Sequence, residues 1–310
     1  MHSRRIGIIG AGHLGSDVAF LLAEDDLCEV VIYDQQGSRA EYLAGDLRDT
    51  AIGREYSTQI RWTADMRSLS DCDIIVVAAG RPLLANDDLF EVFESNRAIS
   101  TEIANVLSGS SAVFVVGTDP VDLMTSTLGI DMQLPPGRVL GLGGLVDSYR
   151  ARFLIGDALA VNPQYVRAHV AGPHSAEARI LWQFCSVNGI SVSDLLSGDQ
   201  IREIEEQFER NAAPQAPSRP GSGAISRYTA AVACLDVLRT LVKEGRNVLS
   251  VTIRWDQILE KTPAAMSAPV VVGRLGGEHI ELPELEQAAE STFTERARVY
   301  AAALEEKVRR

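Results

Sequence analysis

Residues Gly10-Ala11-Gly12-His13-Leu14-Gly15 constrain this chain more than any other segment. They follow the apolar run Ile6–Ile9 and open a stretch in which Val18, Leu21 and Leu22 share one helical face. A bare G-x-G-x-x-G is a weak signal. Between a strand and an amphipathic helix it specifies a tight turn whose backbone can approach a pyrophosphate, with free helix N–H groups and the positive dipole end aimed at it. Asp34 ends the next strand candidate, 19 residues after Gly15. A carboxylate there accepts from a ribose 2′-hydroxyl and repels a 2′-phosphate, so NAD is expected rather than NADP. Arg39, five residues later, is the one feature pulling the other way. His13, inside the turn, either touches phosphate or faces solvent, and the solvent-facing position is the simpler expectation.

The strand candidates Arg5–Ile9, Val30–Tyr33, Gln59–Trp62, Ile74–Ala78, Ala112–Val116 and Val139–Leu142 alternate with helical patterns, one of which holds Phe90, Phe93 and Ile99. Strands alternating with helices imply a parallel sheet with crossover helices. Continuous apolar strands such as Ile74–Ala78 fit a sheet covered on both faces. The expected class is α/β, a doubly wound parallel (Rossmann) sheet over residues 1–142 followed by an α+β catalytic domain over residues 143–310. In the second half we expect a helix through Asp147–Phe153, a strand over Val166–Val170 and a surface loop over Asn211–Gly223. Ala268–Val272 and His279–Glu281, flanking Gly276-Gly277, read as a hairpin, and Leu285–Arg310 as a terminal helix.

The net charge of -13 speaks against a nucleic-acid or anionic-membrane partner. Mean hydropathy is +0.03 and no apolar run approaches the ~18 residues of a membrane span. The apolar run behind Met1–Arg5 is too short for a signal peptide, so a cytoplasmic location is expected. Cys28, Cys72, Cys185 and Cys234 lack metal spacing and the five histidines are scattered, so no metal site is expected.

In Gly141-Leu142-Gly143-Gly144-Leu145-Val146-Asp147-Ser148-Tyr149-Arg150, Asp147 and Arg150 lie three apart and share a helix face. His174 follows in Ala171-Gly172-Pro173-His174-Ser175, at a strand-to-loop position. Such a trio suits hydride chemistry on a 2-oxo acid. The histidine gives a proton to the carbonyl oxygen and recovers it in the reverse direction. The aspartate fixes the imidazole tautomer, and the arginine grips a carboxylate through two parallel hydrogen bonds. Taken singly, Asp147–Arg150 is an ordinary surface pair and His174 a loop histidine. Behind a dinucleotide motif they form a set.

Through Gly10–Gly15, Asp34, Ala79-Gly80, Asn96, Pro120-Val121-Asp122, Gly141-Leu142-Gly143, Asp147-Ser148-Tyr149-Arg150 and His174, the sequence resembles the lactate/malate dehydrogenase family over almost its whole length. Gly221–Ser226 resembles the family's small-residue segment before a late helix, and Pro269–Gly273 its late hairpin. The resemblance implies that His174 is the acid/base, Asp147 its partner and Arg150 the carboxylate binder. It puts Gly10, Ala11, Gly12, His13, Leu14, Gly15, Asp34, Ala79, Gly80, Arg81, Asn96, Gly117 and Asp119 on the cofactor side. Leu83, Leu84, Leu89, Asp119 and Ser226 join Arg150 on the substrate side. It also implies a small substrate bearing a carboxylate and a homodimer or homotetramer.

The departures from the family bear on substrate. Its mobile loop after Ala79-Gly80 usually carries a basic residue or glutamine that reads the substrate side chain, then an arginine that polarises the reacting carbonyl. Here the loop is Arg81-Pro82-Leu83-Leu84-Ala85-Asn86-Asp87-Asp88-Leu89. Ungapped counting to Asn96 puts Leu83 or Leu84 at the reading position and Leu89 at the polarising one. Arg81, at the loop base, is expected on the cofactor pyrophosphate, and Asp87 and Asp88 as solvated loop charges. The family's Asn-Pro-Val-Asp is Asp119-Pro120-Val121-Asp122, and a carboxylate cannot donate unless protonated. Pro173 and Ser175 replace the family's usual Glu and Gly beside the histidine. Removing one preorganised donor commonly costs ~10²–10³ in rate. Efficient lactate or malate chemistry is therefore not expected. Three readings stand: a 2-hydroxy acid dehydrogenase for a bulky apolar side chain, a reductase of an imino acid drawn to the loop acids or Asp119, and an NAD binder without turnover.

Overall fold

The computed structural model describes residues 4–84, 87–212, 226–255 and 265–278. Its first half alternates β1 (Arg4–Ile9), α1 (His13–Asp25), β2 (Cys28–Tyr33), α2 (Gly37–Arg54), β3 (Ile60–Thr63), β4 (Ile74–Val77), α3 (Leu89–Leu107), β5 (Val113–Val116), α4 (Val121–Asp131) and β6 (Val139–Gly141). All six strands lie within two residues of their sequence expectation. They run parallel in the order β3-β2-β1-β4-β5-β6, the doubly wound arrangement. Ile74–Val77 of β4 are all buried, because helices cover both faces of the sheet.

Helix α5 (Gly143–Ala158) follows β6 directly. Short strands β7 (Val166–Arg167), β8 (Val170–Ala171), β9 (Arg179–Ile180), β10 (Ser186–Val187) and β11 (Ile190–Ser191) come next, then the single turn α6 (Val192–Leu195) and helices α7 (Gly198–Ala212) and α8 (Arg227–Val242). The expected strand Val166–Val170 is in fact two. β7 pairs with β10 while β8 pairs with β9, so tertiary partners divide one alternating run. The chain closes on β12 (Asn247–Arg254), β13 (Ala265–Gly273) and β14 (Gly276–Glu278). The expected hairpin is present, but its turn is Arg274-Leu275, and Gly276-Gly277 lie in the second strand. The expected strand His279–Glu281, the helix Leu285–Arg310 and Gly221–Ile225 lie outside the described residues. So does the expected loop, save Asn211-Ala212, which end α7.

β12 runs antiparallel to β6 through Thr252 and Gly141, extending the parallel sheet into the second half. One buried cluster joins Ile6, Ile8 and Val30 of the first half to Leu235 and Leu238 of α8 and to Val251, Met266 and Val270. Helix α8 lies along α1, and Arg227 grips Asp17 through Nε and Nη2 at 2.6 and 2.8 Å. The ends of β1, β4 and β5 and the N-termini of α1 and α5 thereby converge on one edge. No described helix is long and apolar enough to cross a membrane.

Candidate active site

The glycine turn divides its labour. Gly10 sits at φ +103°, and a Cβ on it would stand 2.6 Å from the Ala79 backbone nitrogen. A Cβ on Gly15 would run into the Gly10 carbonyl oxygen. Around the Cβ position of Gly12 nothing lies within 4 Å. The outer glycines thus serve strand–helix packing, while the middle one leaves open space for a ligand against the backbone, as a pyrophosphate requires. Buried Asp34 accepts the Ala11 N–H at Oδ2 and the Gln36 N–H at Oδ1, both at 2.8 Å. These bonds fix the carboxylate and leave lone pairs for hydroxyls. Leu14 packs on Gly117, where a Cβ would push the Leu14 side chain aside. His13 is exposed, in the simpler of its two expected positions, and Arg39 is exposed too.

Across from this turn, Gly80 at φ +141° lets the chain pass 3.0 Å from Asn96 Oδ1, measured from where a Cβ would sit. Asn96, 1% exposed on α3, accepts the Arg81 N–H at 2.8 Å and donates to the Arg81 and Asp119 carbonyls at 2.7 Å each. It staples the exit of β4 to the exit of β5. The loop beyond folds onto its own acid. Arg81 Nη2 meets Asp87 Oδ1 at 2.6 Å, and the Leu84 N–H donates to Asp87 Oδ2 at 2.9 Å. Asp88 caps α3 by accepting from the Phe90 and Glu91 N–H groups. The expectation of solvated loop charges is corrected for Asp87, which has the loop cation as its partner; Asp88 is exposed as expected and also serves as the helix cap. Leu83 is half-buried and donates its N–H to Asp119 Oδ2 at 3.1 Å, Leu84 is exposed, and Leu89 is half-buried. Ala85 and Asn86 lie outside the described residues. Burial pushes the Asp119 carboxyl above its usual range against the opposing pull of the Leu83 N–H and His174.

Asp147, Arg150 and His174 do come together. Asp147 is 1% exposed and accepts from His174 Nδ1 at 2.7 Å through Oδ2 and from Arg150 Nη1 at 2.6 Å through Oδ1. Arg150 Nη2 reaches Ser226 Oγ at the start of α8. Burial works against a charged imidazole at His174, yet the Asp147 carboxylate outweighs it by charge and hydrogen bond, and the pKa stands above its ordinary value. With Nδ1 held by Asp147, Nε2 is the nitrogen left to exchange a proton.

Residues 4–141 match the family model for the NAD binding domain of lactate/malate dehydrogenase, and residues 145–309 that for its alpha/beta C-terminal domain. The chain belongs to the lactate/malate dehydrogenase family. It is accordingly an NAD-dependent dehydrogenase, as the glycine turn and Asp34 led us to expect. L-lactate dehydrogenase of Chloroherpeton thalassium is 30% identical over 278 residues, covering 88% of this chain and 89% of that protein. That of Geobacillus thermodenitrificans is 27% identical over 297 residues, 93% and 92% of the two chains. Cryptosporidium parvum malate dehydrogenase superposes with a TM-score of 0.88 at 24% identity, covering 99% of each chain. The lactate dehydrogenase of the same organism gives 0.84 at 22%, covering 98% of this chain and 99% of that one.

Two residues that lie in the resembling motifs, but to which the sequence assigned no role, also belong to the site. Asp122 looks like an ordinary acid in the first turn of α4, yet it is buried and accepts the His174 N–H at 2.7 Å and the Thr252 hydroxyl at 2.9 Å. Gly143 begins α5, where a Cβ would stand 2.7 Å from His174 Cβ. Both meet His174 only through the fold.

Proposed function

We propose that this dehydrogenase interconverts a 2-oxo acid and its 2-hydroxy acid whose side chain is bulky and apolar, rather than pyruvate or oxaloacetate. NAD, bound along Gly10–Gly15 and Asp34, supplies or accepts the hydride. His174 delivers its Nε2 proton to the substrate oxygen and keeps the Nδ1 proton on Asp147, so the buried aspartate is never without a cationic or hydrogen-bonded partner. Arg150 uses one terminal nitrogen on Asp147 and the other on Ser226, and its remaining N–H groups serve the substrate carboxylate.

The observation carrying the substrate class is the state of the loop. Arg81, its one cation, is engaged by Asp87, while ungapped counting from Gly80 to Asn96 puts leucines at the reading and polarising positions. A second carboxylate on the substrate would find no partner among Leu83, Leu84 and Leu89. We divide the chain at residue 142 into dinucleotide and catalytic domains, place it in the cytoplasm on the short N-terminal apolar run, and expect a homodimer or homotetramer, as the family resemblance implies. One observation favours a second reading. Asp119 sits within electrostatic reach of His174, with a backbone N–H rather than a cation as its partner, and would attract a protonated imine where a ketone gains nothing.

NADH absorbance with purified protein tests both, against pyruvate, oxaloacetate, 4-methyl-2-oxopentanoate and phenylpyruvate, each with and without ammonia. The expected result is kcat/KM at least about tenfold higher for the branched and aromatic acids, without amine. Preference for oxaloacetate or pyruvate would overturn the apolar reading, and turnover only with ammonia would replace it with imine reduction.

A further inference from the structure

His174 is held by more than Asp147. Its segment is tied into a closed ring of hydrogen bonds drawn from four parts of the chain. The His174 N–H donates to Asp122 Oδ2 at 2.7 Å. Asp122 Oδ1 accepts from Thr252 Oγ1 at 2.9 Å, and Thr252 Oγ1 meets Ser267 Oγ at 2.9 Å. The Ser267 backbone then pairs in both directions with Gly172, two residues before His174, at 2.9 and 3.0 Å. Every side chain in the ring is buried, Thr252 at 0% and Ser267 at 1% exposure.

A ring that only held the backbone would have no need of a charge. A neutral acceptor does the same for an amide donor, and burying a carboxylate is costly. Asp122 is nonetheless an acid beside the imidazole. The charged groups facing His174 are Asp147 and Arg150 from α5, Asp122 from the first turn of α4, and Asp119 from the turn before it. Arg150 opposes protonation of the imidazole, while Asp147 and Asp122 favour it.

We infer that Asp122 is a positioning residue for His174: it fixes the backbone carrying the imidazole and supplies the second carboxylate that keeps the ring protonated for transfer. The inference rests on the reading of His174 as acid/base. Asp122→Asn preserves the ring, since the amide accepts from the His174 N–H and the Thr252 hydroxyl can turn to accept from the amide, but it deletes the charge. Asp122→Ala deletes both.

The test follows the His174 Cε1–H proton signal through a pH titration, assigned by its loss in His174→Asn, in the full-length protein. NADH fluorescence gives cofactor affinity, and turnover of the best oxo acid of the panel gives kcat. With Asp122→Asn, the His174 pKa should fall by roughly one unit with NADH affinity unchanged. With Asp122→Ala, kcat should fall by at least about tenfold while NADH still binds. Should an Asp122 variant not fold, Thr252→Val removes a donor from the carboxylate and should move the His174 titration in the same direction by less. An unmoved titration in Asp122→Asn, or in Thr252→Val where that variant stands in for it, overturns the proposal, as does unchanged kcat in Asp122→Ala. Turnover surviving in His174→Asn would instead overturn the acid/base reading, whatever the Asp122 variants do.

Discussion

At the scale of single residues, the site is governed by where carboxylates are buried and what they accept from. Asp34 fixes its oxygens on two backbone N–H groups, Asp147 lies between an imidazole and a guanidinium, and Asp122 holds a backbone amide and a hydroxyl. Asp122 is the costly one. Burial pushes its carboxyl up to about 6, and the His174 N–H, the His174 charge and Thr252 recover only part of that. A folded-state pKa above the unfolded one means that this group favours the fold only below its ordinary value near 3.8, and that the benefit is gone once pH has risen through about 6. Ionised Asp122 therefore weighs on stability at neutral pH, by on the order of 3 kcal/mol at most. Asp122→Asn escapes that dependence. Its melting temperature relative to the unsubstituted protein should rise between pH 4.5 and pH 7.5 in calorimetry, while activity declines. A difference that stays constant with pH would mean that the carboxyl is not strained by burial. A residue that lowers stability where it serves the chemistry is the trade expected of an active site.

At the scale of elements, the N-terminal turn of α5 does the most for the site. Gly143 and Gly144 let it press on the His174 loop and on Ser267, and one turn later the helix presents Asp147 and Arg150 on one face. Gly143→Ala should leave the helix intact, since alanine is the better helix former. The new methyl, 2.7 Å from His174 Cβ, should displace the imidazole. The expected outcome is unchanged far-ultraviolet circular dichroism and NADH affinity with kcat lowered at least about tenfold; full activity would show that the loop yields freely. This contact marks how far local pattern carries. The six parallel strands were legible because most are short apolar runs between turn signals, alternating with helical patterns, and Asp147–Arg150 because i,i+3 spacing states which face they share. Gly143 reads as one more glycine in Gly141–Gly144, and Asp122 as an N-terminal helix acid, because their meaning lies in what the second half brings against them. Val166–Val170 misled for the same reason: one alternating run found two pairing partners. Asp87 misled because a charge on a short loop looks solvated until the loop closes on it.

At the scale of the whole molecule, the division we propose at residue 142 is a change of architecture without independence of the two parts. The sheet crosses it through the pairing of Thr252 with Gly141, and the largest buried cluster spans it, packing Ile6 and Ile8 with Leu238 and Val270. Helix α8 adds ion pairs to α1, Arg227 to Asp17 and Arg239 to Asp25. Its cap residue Ser226 also holds Arg150, so the helix that follows the glycine turn and the arginine we propose for the substrate carboxylate share one support. Separating the halves would expose apolar surface that neither can cover alone, at about 25 cal/mol per Å². Scanning calorimetry should therefore give one transition in which both halves unfold together, and NADH, although it meets the first half, should raise the unfolding temperature of the whole. Two resolved transitions, with only the first moved by NADH, would mean that the shared cluster adds little. A single transition moved by NADH would explain how such a short β12–β6 seam can hold Arg150 and His174 in place against the cofactor: the alignment is maintained by the common core.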